Sequence, residues 1–309
     1  MFRIYTAYPR WFCAGVDRAI NLLKDVIDVY WTPIYVNHEI IHNKFIVDWF
    51  TKKWVIFEEN ISKIPSWSLV VISAHGVWPS YYASLKENWL KWIDATCPLV
   101  TKVHLEALQF IKKGYHIIYI GKKDHQEAQG VYDEDKNHIT IVSNKEDVDR
   151  LDIFWVMPLA LLTQTTLSLD DTKELSDYIK GKIPHIVTPP AWDICYATTN
   201  RQNAVKKLAE VVDTIFVIGS KNSSNSAKLK LTAEKLWKKA FLIDNASEIE
   251  TSWIEWSSQI GVTSWASGPE ELVQGVVELL EMNGGKFETE LRVIEENMNF
   301  PYNIQNIKS

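Results

Sequence analysis

The sequence predicts an α/β protein built of three similar units, and three observations lead there. Short apolar runs alternate with amphipathic helical patterns along the chain, and several of those runs end on small polar residues. Three cysteines, Cys13, Cys97 and Cys195, each stand between an extended segment and a helix, at separations of 84 and 98 residues, about the size of a small α/β unit. Repeated strand, turn and helix imply mainly parallel sheets, whose ligands gather beyond the carboxyl ends of the strands.

In "WFCAGVDRAINLLKDVIDVY", Ile20, Leu23, Val26 and Ile27 fall on one helical face directly after Cys13. "LVVISAHG" is an apolar strand that ends in His75, and "DATCPLVTKVH" opens the next helix. Proline suits the first helical position, where no N–H partner is needed, so Pro98 is N1 and Cys97 the N-cap. "HIIYIGKKDHQE" leads to His125 and Glu127, and "LALLTQTTLS" carries Thr165 and Thr166 past its strand. "WDICYATTNRQNAVKKLAEVV" repeats the cysteine-to-helix pattern, with Ala204, Leu208, Val211 and Val212 on the apolar face. "TIFVIGSKNSSNS" opens into Ser223, Ser224 and Asn225, and "QIGVTSWASGP" reaches Ser267. These spacings give a first α/β domain over 14–96, a second over 97–193, a third from 1–13 with 194–281, and a tail over 282–309.

Composition narrows the class. With 309 residues, 46% hydrophobic and 23% charged, the chain can bury a large core without staples. Three cysteines are too few and too odd for a disulfide framework, which points to a reducing, cytoplasmic setting. A net charge of -6 with scattered lysines argues against nucleic acid as a partner. The longest apolar stretch, Phe154–Leu162, is too short to span a bilayer, and the first residues lack a signal peptide's apolar run, so no membrane partner is expected. "GSKNSSNS" is no Walker A loop and no G-x-G-x-x-G occurs, so nucleotide and nicotinamide enzymes lose ground.

A cysteine at a helix mouth faces the positive end of the helix, which favours the thiolate, the form that attacks electrophiles or binds metal. Three such thiols at one recurring position favour a shared metal site over three inert core residues. Zinc with a fourth ligand and an iron-sulfur cubane with one open iron both fit three thiolates, and the spacing does not choose between them.

"FCAGVDRAI", "HEIIHN", "SAHGV", "DATCPLVTKVH", "TQTTLS", "DICYATTNRQ", "GSKNSSNS" and "IGVTSWASGP" closely resemble, in order and spacing, the 4-hydroxy-3-methylbut-2-enyl diphosphate reductases, the IspH or LytB family, from about Ile4 to Leu280. The resemblance implies three α/β domains in a pseudo-threefold trefoil around a central [4Fe-4S] cluster held by Cys13, Cys97 and Cys195. It also implies reductive dehydroxylation to isopentenyl and dimethylallyl diphosphate, the last step of the non-mevalonate isoprenoid pathway, with ferredoxin or flavodoxin as electron donor. Glu127 becomes the proton source, Thr165 its relay to the leaving oxygen, and His125 a further catalytic group. His42, His75, His125, Thr166, Thr198, Ser223, Ser224, Asn225 and Ser267 become the diphosphate donors. A non-enzymatic iron-sulfur or zinc protein, or a relative that has lost turnover, is the alternative.

The chain also departs from that family. "GKKDHQEAQG" replaces a glycine-rich "GHxGHPE" run, and Trp11, Trp54 and Trp265 stand where small residues are usual, in a chain with 14 Trp and 12 Gly. A bulky residue adopts a positive φ only at a cost, so these positions are expected to obstruct close backbone approach.

Overall fold

Every pairing between strands is parallel, so each strand must be followed by a crossover before its neighbour can form. The computed structural model describes residues 1–151, 157–190, 193–221 and 223–308, with the Ser224 side chain outside the description. The start of the apolar stretch Phe154–Leu162 therefore lies outside the described residues. Among these residues no helix is long and apolar enough to cross a membrane.

In chain order the elements begin β1 (Phe2–Tyr8), α1 (Ala14–Tyr30), β2 (Ile34–Val36), α2 (Lys44–Thr51), β3 (Val55–Phe57), β4 (Leu69–Ile72), α3 (Pro79–Glu87) and β5 (Lys91–Asp94). They continue through α4 (Pro98–Lys112), β6 (His116–Ile120), α5 (Gln126–Tyr132), β7 (Ile139–Val142), α6 (Lys145–Asp149), β8 (Leu159–Thr163) and α7 (Leu169–Lys182). The last are α8 (Tyr196–Ala209), β9 (Thr214–Ile218), α9 (Ser224–Lys235), β10 (Lys239–Ile243), α10 (Thr251–Ile254), β11 (Gln259–Ser264), α11 (Glu270–Met282) and β12 (Gly285–Arg292).

The chain forms two compact units. One comprises 1–17, 42–47 and 196–299 and holds a five-stranded sheet in the order β10-β9-β11-β1-β12. Its core packs Phe2, Ile4, Phe216, Ile218 and Val262 against Val273, Val276 and Leu280 of α11. The other comprises 18–41, 48–195 and 300–309 and holds two sheets, β3-β2-β4-β5 and β7-β6-β8. In β6 the alternation of a strand is direct: Ile118 and Ile120 join one apolar cluster with Leu175 and Ile179 of α7, while Ile117 and Tyr119 join another with Val103 and Ala107 of α4. Burial on both faces explains why the strand is a continuous apolar run in the sequence.

All three expected cysteine positions open a helix. Cys97 is the N-cap of α4 with Pro98 in the first turn, and Cys13 and Cys195 directly precede α1 and α8. On α1, Ile20, Leu23 and Val26 are buried and Ile27 is half-buried; on α8, Ala204 and Leu208 are buried, while Val211 and Val212, expected on the same helical face, lie past its end at Ala209, half-buried and buried respectively.

Three sheets each change winding direction once. The chain turns from β3 back to β4 beside β2, from β7 back to β8 beside β6, and from β10 back to β11 beside β9. Such a switch point leaves a crevice at the carboxyl ends of the two strands, because their following connections leave in opposite directions.

The close approach of α8 to β11 depends on a missing side chain. A Cβ at Gly261 would lie 2.7 Å from both Cγ and Cδ2 of Leu208. Gly261→Ala is expected to destabilise the protein by about 1–3 kcal/mol through overpacking, read as a lower urea midpoint at unchanged slope.

Candidate functional site

The sequence-selected residues sit at the switch points. His42 follows β2 and His75 follows β4; His125 and Glu127 follow β6 and Thr165 follows β8; Ser223 follows β9 and Ser267 follows β11. The two compact units each carry part of the set.

In the unit that holds two sheets, Glu127 is 3% exposed in the first turn of α5. One carboxylate oxygen accepts the Thr165 N–H at 2.6 Å and the other accepts the Thr165 hydroxyl at 3.0 Å. The Thr165 carbonyl in turn accepts the Cys195 N–H at 2.8 Å. Acid, hydroxyl and thiol-bearing residue are thus joined in one bonded row. His125 caps α5: its Nδ1 accepts the Glu127 N–H at 3.2 Å, which in the neutral ring places the proton on Nε2.

Gln126 extends the row. Its amide donates to the Gly76 carbonyl at 2.9 Å, tying α5 to the turn that carries His75. That turn closes with Gly76 N–H on the Ser73 carbonyl at 3.1 Å, and Gly76 takes φ +75° with a would-be Cβ 3.0 Å from Thr96. Its Ala74 carbonyl accepts the Cys97 N–H at 2.9 Å. Thr166 is half-buried, with its hydroxyl accepting the Gln164 amide at 3.1 Å.

In the unit that holds the five-stranded sheet, Ser223 is 1% exposed and caps α9 by accepting the Ser226 N–H at 3.3 Å. Its own proton stays available to an anion at the helix N-terminus. Asn225 is buried with an amide oxygen that meets no donor among the described residues. The Ser224 side chain lies outside the described residues. Thr198 is fully buried in α8. Ser267 is buried and donates to the His42 carbonyl at 3.1 Å, so these two residues are brought together while the serine proton is committed to the chain. Cys13 joins the same loops through its N–H on the Ala266 carbonyl at 3.3 Å.

Several supporting residues escaped the sequence reading. Arg201, fully buried, donates to Glu296 at 3.0 Å and to the Trp11 carbonyl at 2.8 Å, bracing the segment just before Cys13. Arg10, also buried, pairs with Glu270 at 2.8 Å and with Glu290. The Tyr196 phenol, kept protonated because burial pushes its pKa up, accepts the Ala14 N–H at 3.1 Å. Asp193 accepts the Thr163 N–H and the Lys102 ammonium, both at 3.0 Å, and Lys102 also reaches Glu106 at 3.0 Å. The only advance signal was a charged residue inside an otherwise well-matched motif, as in "DICYATTNRQ".

The three tryptophan departures divide. Trp11 and Trp54 take φ of 59° and 63°, the left-handed backbone expected of a glycine site. Trp265 does not: it is 5% exposed with its N–H on the Ile218 carbonyl at 3.1 Å and no positive φ, so the expected backbone strain is absent there.

The family profile described as LytB protein matches residues 4–281. A 4-hydroxy-3-methylbut-2-enyl diphosphate reductase of Methylococcus capsulatus is 47% identical over 96% of each chain. One of Sodalis glossinidius is 44% identical over 96% of this chain and 95% of its own. Among solved structures, the E-1-hydroxy-2-methyl-but-2-enyl-4-diphosphate reductase from Plasmodium falciparum superposes with a TM-score of 0.96 at 37% identity, covering 99% of this chain and 96% of that one.

Burial, then a hydrogen bond with Glu106, pushes the Asp193 carboxyl from its ordinary 3.8 up to about 7. The folded chain therefore binds that proton more tightly than the unfolded one, so this group's contribution to stability is complete below about 4 and is lost as pH rises to about 7. Asp193→Asn is expected to flatten that decline, measured as urea midpoints across this range.

Proposed function

Because the chain belongs to the LytB family, we propose that it removes the hydroxyl of 4-hydroxy-3-methylbut-2-enyl diphosphate with two electrons and two protons, one proton leaving with the oxygen as water and the other ending on an allylic carbon to give isopentenyl or dimethylallyl diphosphate. The bonded row of Glu127, Thr165 and Cys195 carries this reading: a buried carboxyl is held against a hydroxyl that leads to a thiol-bearing loop.

The donor set fits an iron-sulfur group. Cys13, Cys97 and Cys195 stand outside any disulfide, are half-buried, and each opens a helix whose positive end favours the thiolate. A [4Fe-4S] cluster on these three would supply single electrons and one iron open to act as a Lewis acid. The electrons come from ferredoxin or flavodoxin, and the reaction belongs in the cytoplasm, where thiolates and cluster stay reduced.

The chain's own residues do the rest. Glu127, shielded from water, holds a proton; with that proton on Oε2 the 3.0 Å contact runs from Glu127 to the Thr165 oxygen, and the threonine hydroxyl turns to the leaving oxygen and passes a proton on. Protonating the oxygen turns a poor leaving group into water. The His125 Nε2–H, together with His42, His75, Thr166, Thr198, Ser223, Ser224 and Asn225, engages the diphosphate, and Ser267 joins them by turning its hydroxyl from the His42 carbonyl to the anion. Neutral donors at helix and strand ends suit this task, because they orient the anion without a Lys or Arg whose charge would favour the ionised form of Glu127.

Protein prepared without oxygen should contain about four irons per chain with matching sulfide. Cys97→Ser should lose most of both, and stoichiometric zinc without sulfide in the parent would sink the cluster. Glu127→Gln keeps shape and burial but has no acidic proton. It should retain iron and diphosphate affinity while turnover falls about 100-fold or more with a chemical reductant. Parental turnover in that variant would move Glu127 to a structural role.

A further inference from the structure

Among the described residues nine take a positive φ: three glycines and six tryptophans, Trp11, Trp31, Trp54, Trp67, Trp89 and Trp237, at φ between 57° and 72°. No asparagine or aspartate appears with them, although those are the usual non-glycine occupants of left-handed backbone. A bulky L-residue is disfavoured there because its Cβ crowds the following carbonyl. One of the least suited residue types thus fills every such position that glycine does not.

The local hydrogen bonds show what these positions are. Helix α3 ends with the Trp89 N–H on the Lys86 carbonyl at 3.0 Å and the Leu90 N–H on the Leu85 carbonyl at 2.9 Å. Helix α9 ends the same way, Trp237 to Glu234 at 2.9 Å and Lys238 to Ala233 at 3.2 Å. This paired closure is the Schellman motif, whose left-handed residue is ordinarily glycine. The same chain supplies the reference: α4 closes with Gly114 on Ile111 at 2.8 Å and Tyr115 on Phe110 at 3.1 Å, with Gly114 at φ 79°. Trp89 and Trp237 therefore occupy the slot that Gly114 occupies.

Ring contacts account for only some of them: Trp11 lies edge-on to Tyr8 at 5.2 Å with the Arg10 guanidinium over its face at 4.9 Å, and Trp67 and Trp89 meet at 5.7 Å, both largely in solvent. Trp31, Trp54, Trp67, Trp89 and Trp237 are between 65% and 95% exposed. Trp253, at an ordinary φ, stacks on Phe241 at 4.2 Å and 8°, and Trp92 is 3% exposed in a strand, so the chain also contains tryptophans placed for their rings. Five exposed indoles would ordinarily suggest a docking surface. What these six share is a backbone dihedral, which a partner surface has no reason to select.

We infer that the cell that makes this protein inserts glycine at positions 11, 31, 54, 67, 89 and 237: one codon, rendered as tryptophan in the sequence, is decoded there as glycine. UGA is the candidate, being tryptophan in some genetic codes, a stop in the standard one, and one base from the glycine codon GGA. Position 11 gives this a bearing on the site. Its N–H meets Ser264 Oγ at 2.9 Å and its carbonyl meets Arg201, so the left-handed turn two residues before Cys13 is fixed from both sides. The inference rests on backbone geometry and stands whether or not the chain is a reductase.

Peptide mass spectrometry of the protein purified from its native cells tests it directly. Glycine masses are expected at all six positions, with tryptophan retained at Trp253; tryptophan at the six would overturn the inference and leave the docking surface standing. In a recombinant chain made with tryptophan at every site, combining W11G, W31G, W54G, W67G, W89G and W237G should raise the folded-to-unfolded ratio at least about tenfold. W253G should lower it. An unchanged or reduced ratio in the sixfold variant would also count against the inference.

Discussion

Parallel pairing is the constraint from which the rest of the structure follows. Hairpins cannot join parallel strands, so every strand here feeds a loop and then a crossover, and the carboxyl ends of a sheet's strands all face one way. Where the winding reverses, the loops diverge and leave room between them. Each of the three sheets has one such reversal, and the strands that flank it, β2 with β4, β6 with β8, and β9 with β11, are followed by the histidines, the acid and the hydroxyls. Polar residues reach these crevices without entering a core, so the cost of burying them is met locally by caps and turns. Ser223 illustrates this by capping α9 with an oxygen lone pair while keeping its proton to give.

Within that frame the site is held by hydrogen bonds that do two jobs at once. Glu127 spends both oxygens on Thr165, which fixes the carboxyl's position and, through the Thr165 carbonyl, the Cys195 backbone. Gln126 binds the Gly76 carbonyl, so a shift of α5 would move the His75 turn with it. Buried charge serves the same end: Arg201 is neutralised by Glu296 and turns its Nη2 on the Arg10 and Trp11 carbonyls ahead of Cys13. Removing one partner of such a pair leaves an uncompensated buried charge, a larger loss than the pair's own net contribution. This explains how loops, ordinarily the mobile part of a fold, can hold donors in fixed places.

The sequence was informative wherever one residue's chemistry determines its backbone. Pro98 after Cys97 marked the start of α4 because proline has no N–H to satisfy, and the apolar run at 117–120 marked a strand. The strand endings were legible because small polar residues interrupt apolar runs. Arg201, Arg10 and the Asp193–Lys102–Glu106 group were not, since their meaning lies in partners dozens to hundreds of residues away, and an isolated Arg or Asp in a helix or loop ordinarily faces solvent. The pairing of His42 with Ser267 was hidden for the same reason: it joins a serine to a backbone carbonyl 225 residues distant.

Tryptophan was where sequence and backbone parted, and the way they part separates two effects that the letters alone merge. At positions 11 and 54 the chain turns left-handed, as glycine would, along a path set by its hydrogen bonds, so a side chain there acts on the fold through dihedral strain. At Trp265 the backbone is ordinary and the ring is buried, so any effect of that residue acts through volume beside the Ser267 loop instead of through dihedral strain. Strain of the first kind would be relieved by glycine without moving the loop, because the left-handed path is already in place. Crowding of the second kind would be relieved only by opening a cavity, which the surrounding loops would then have to fill or leave to substrate.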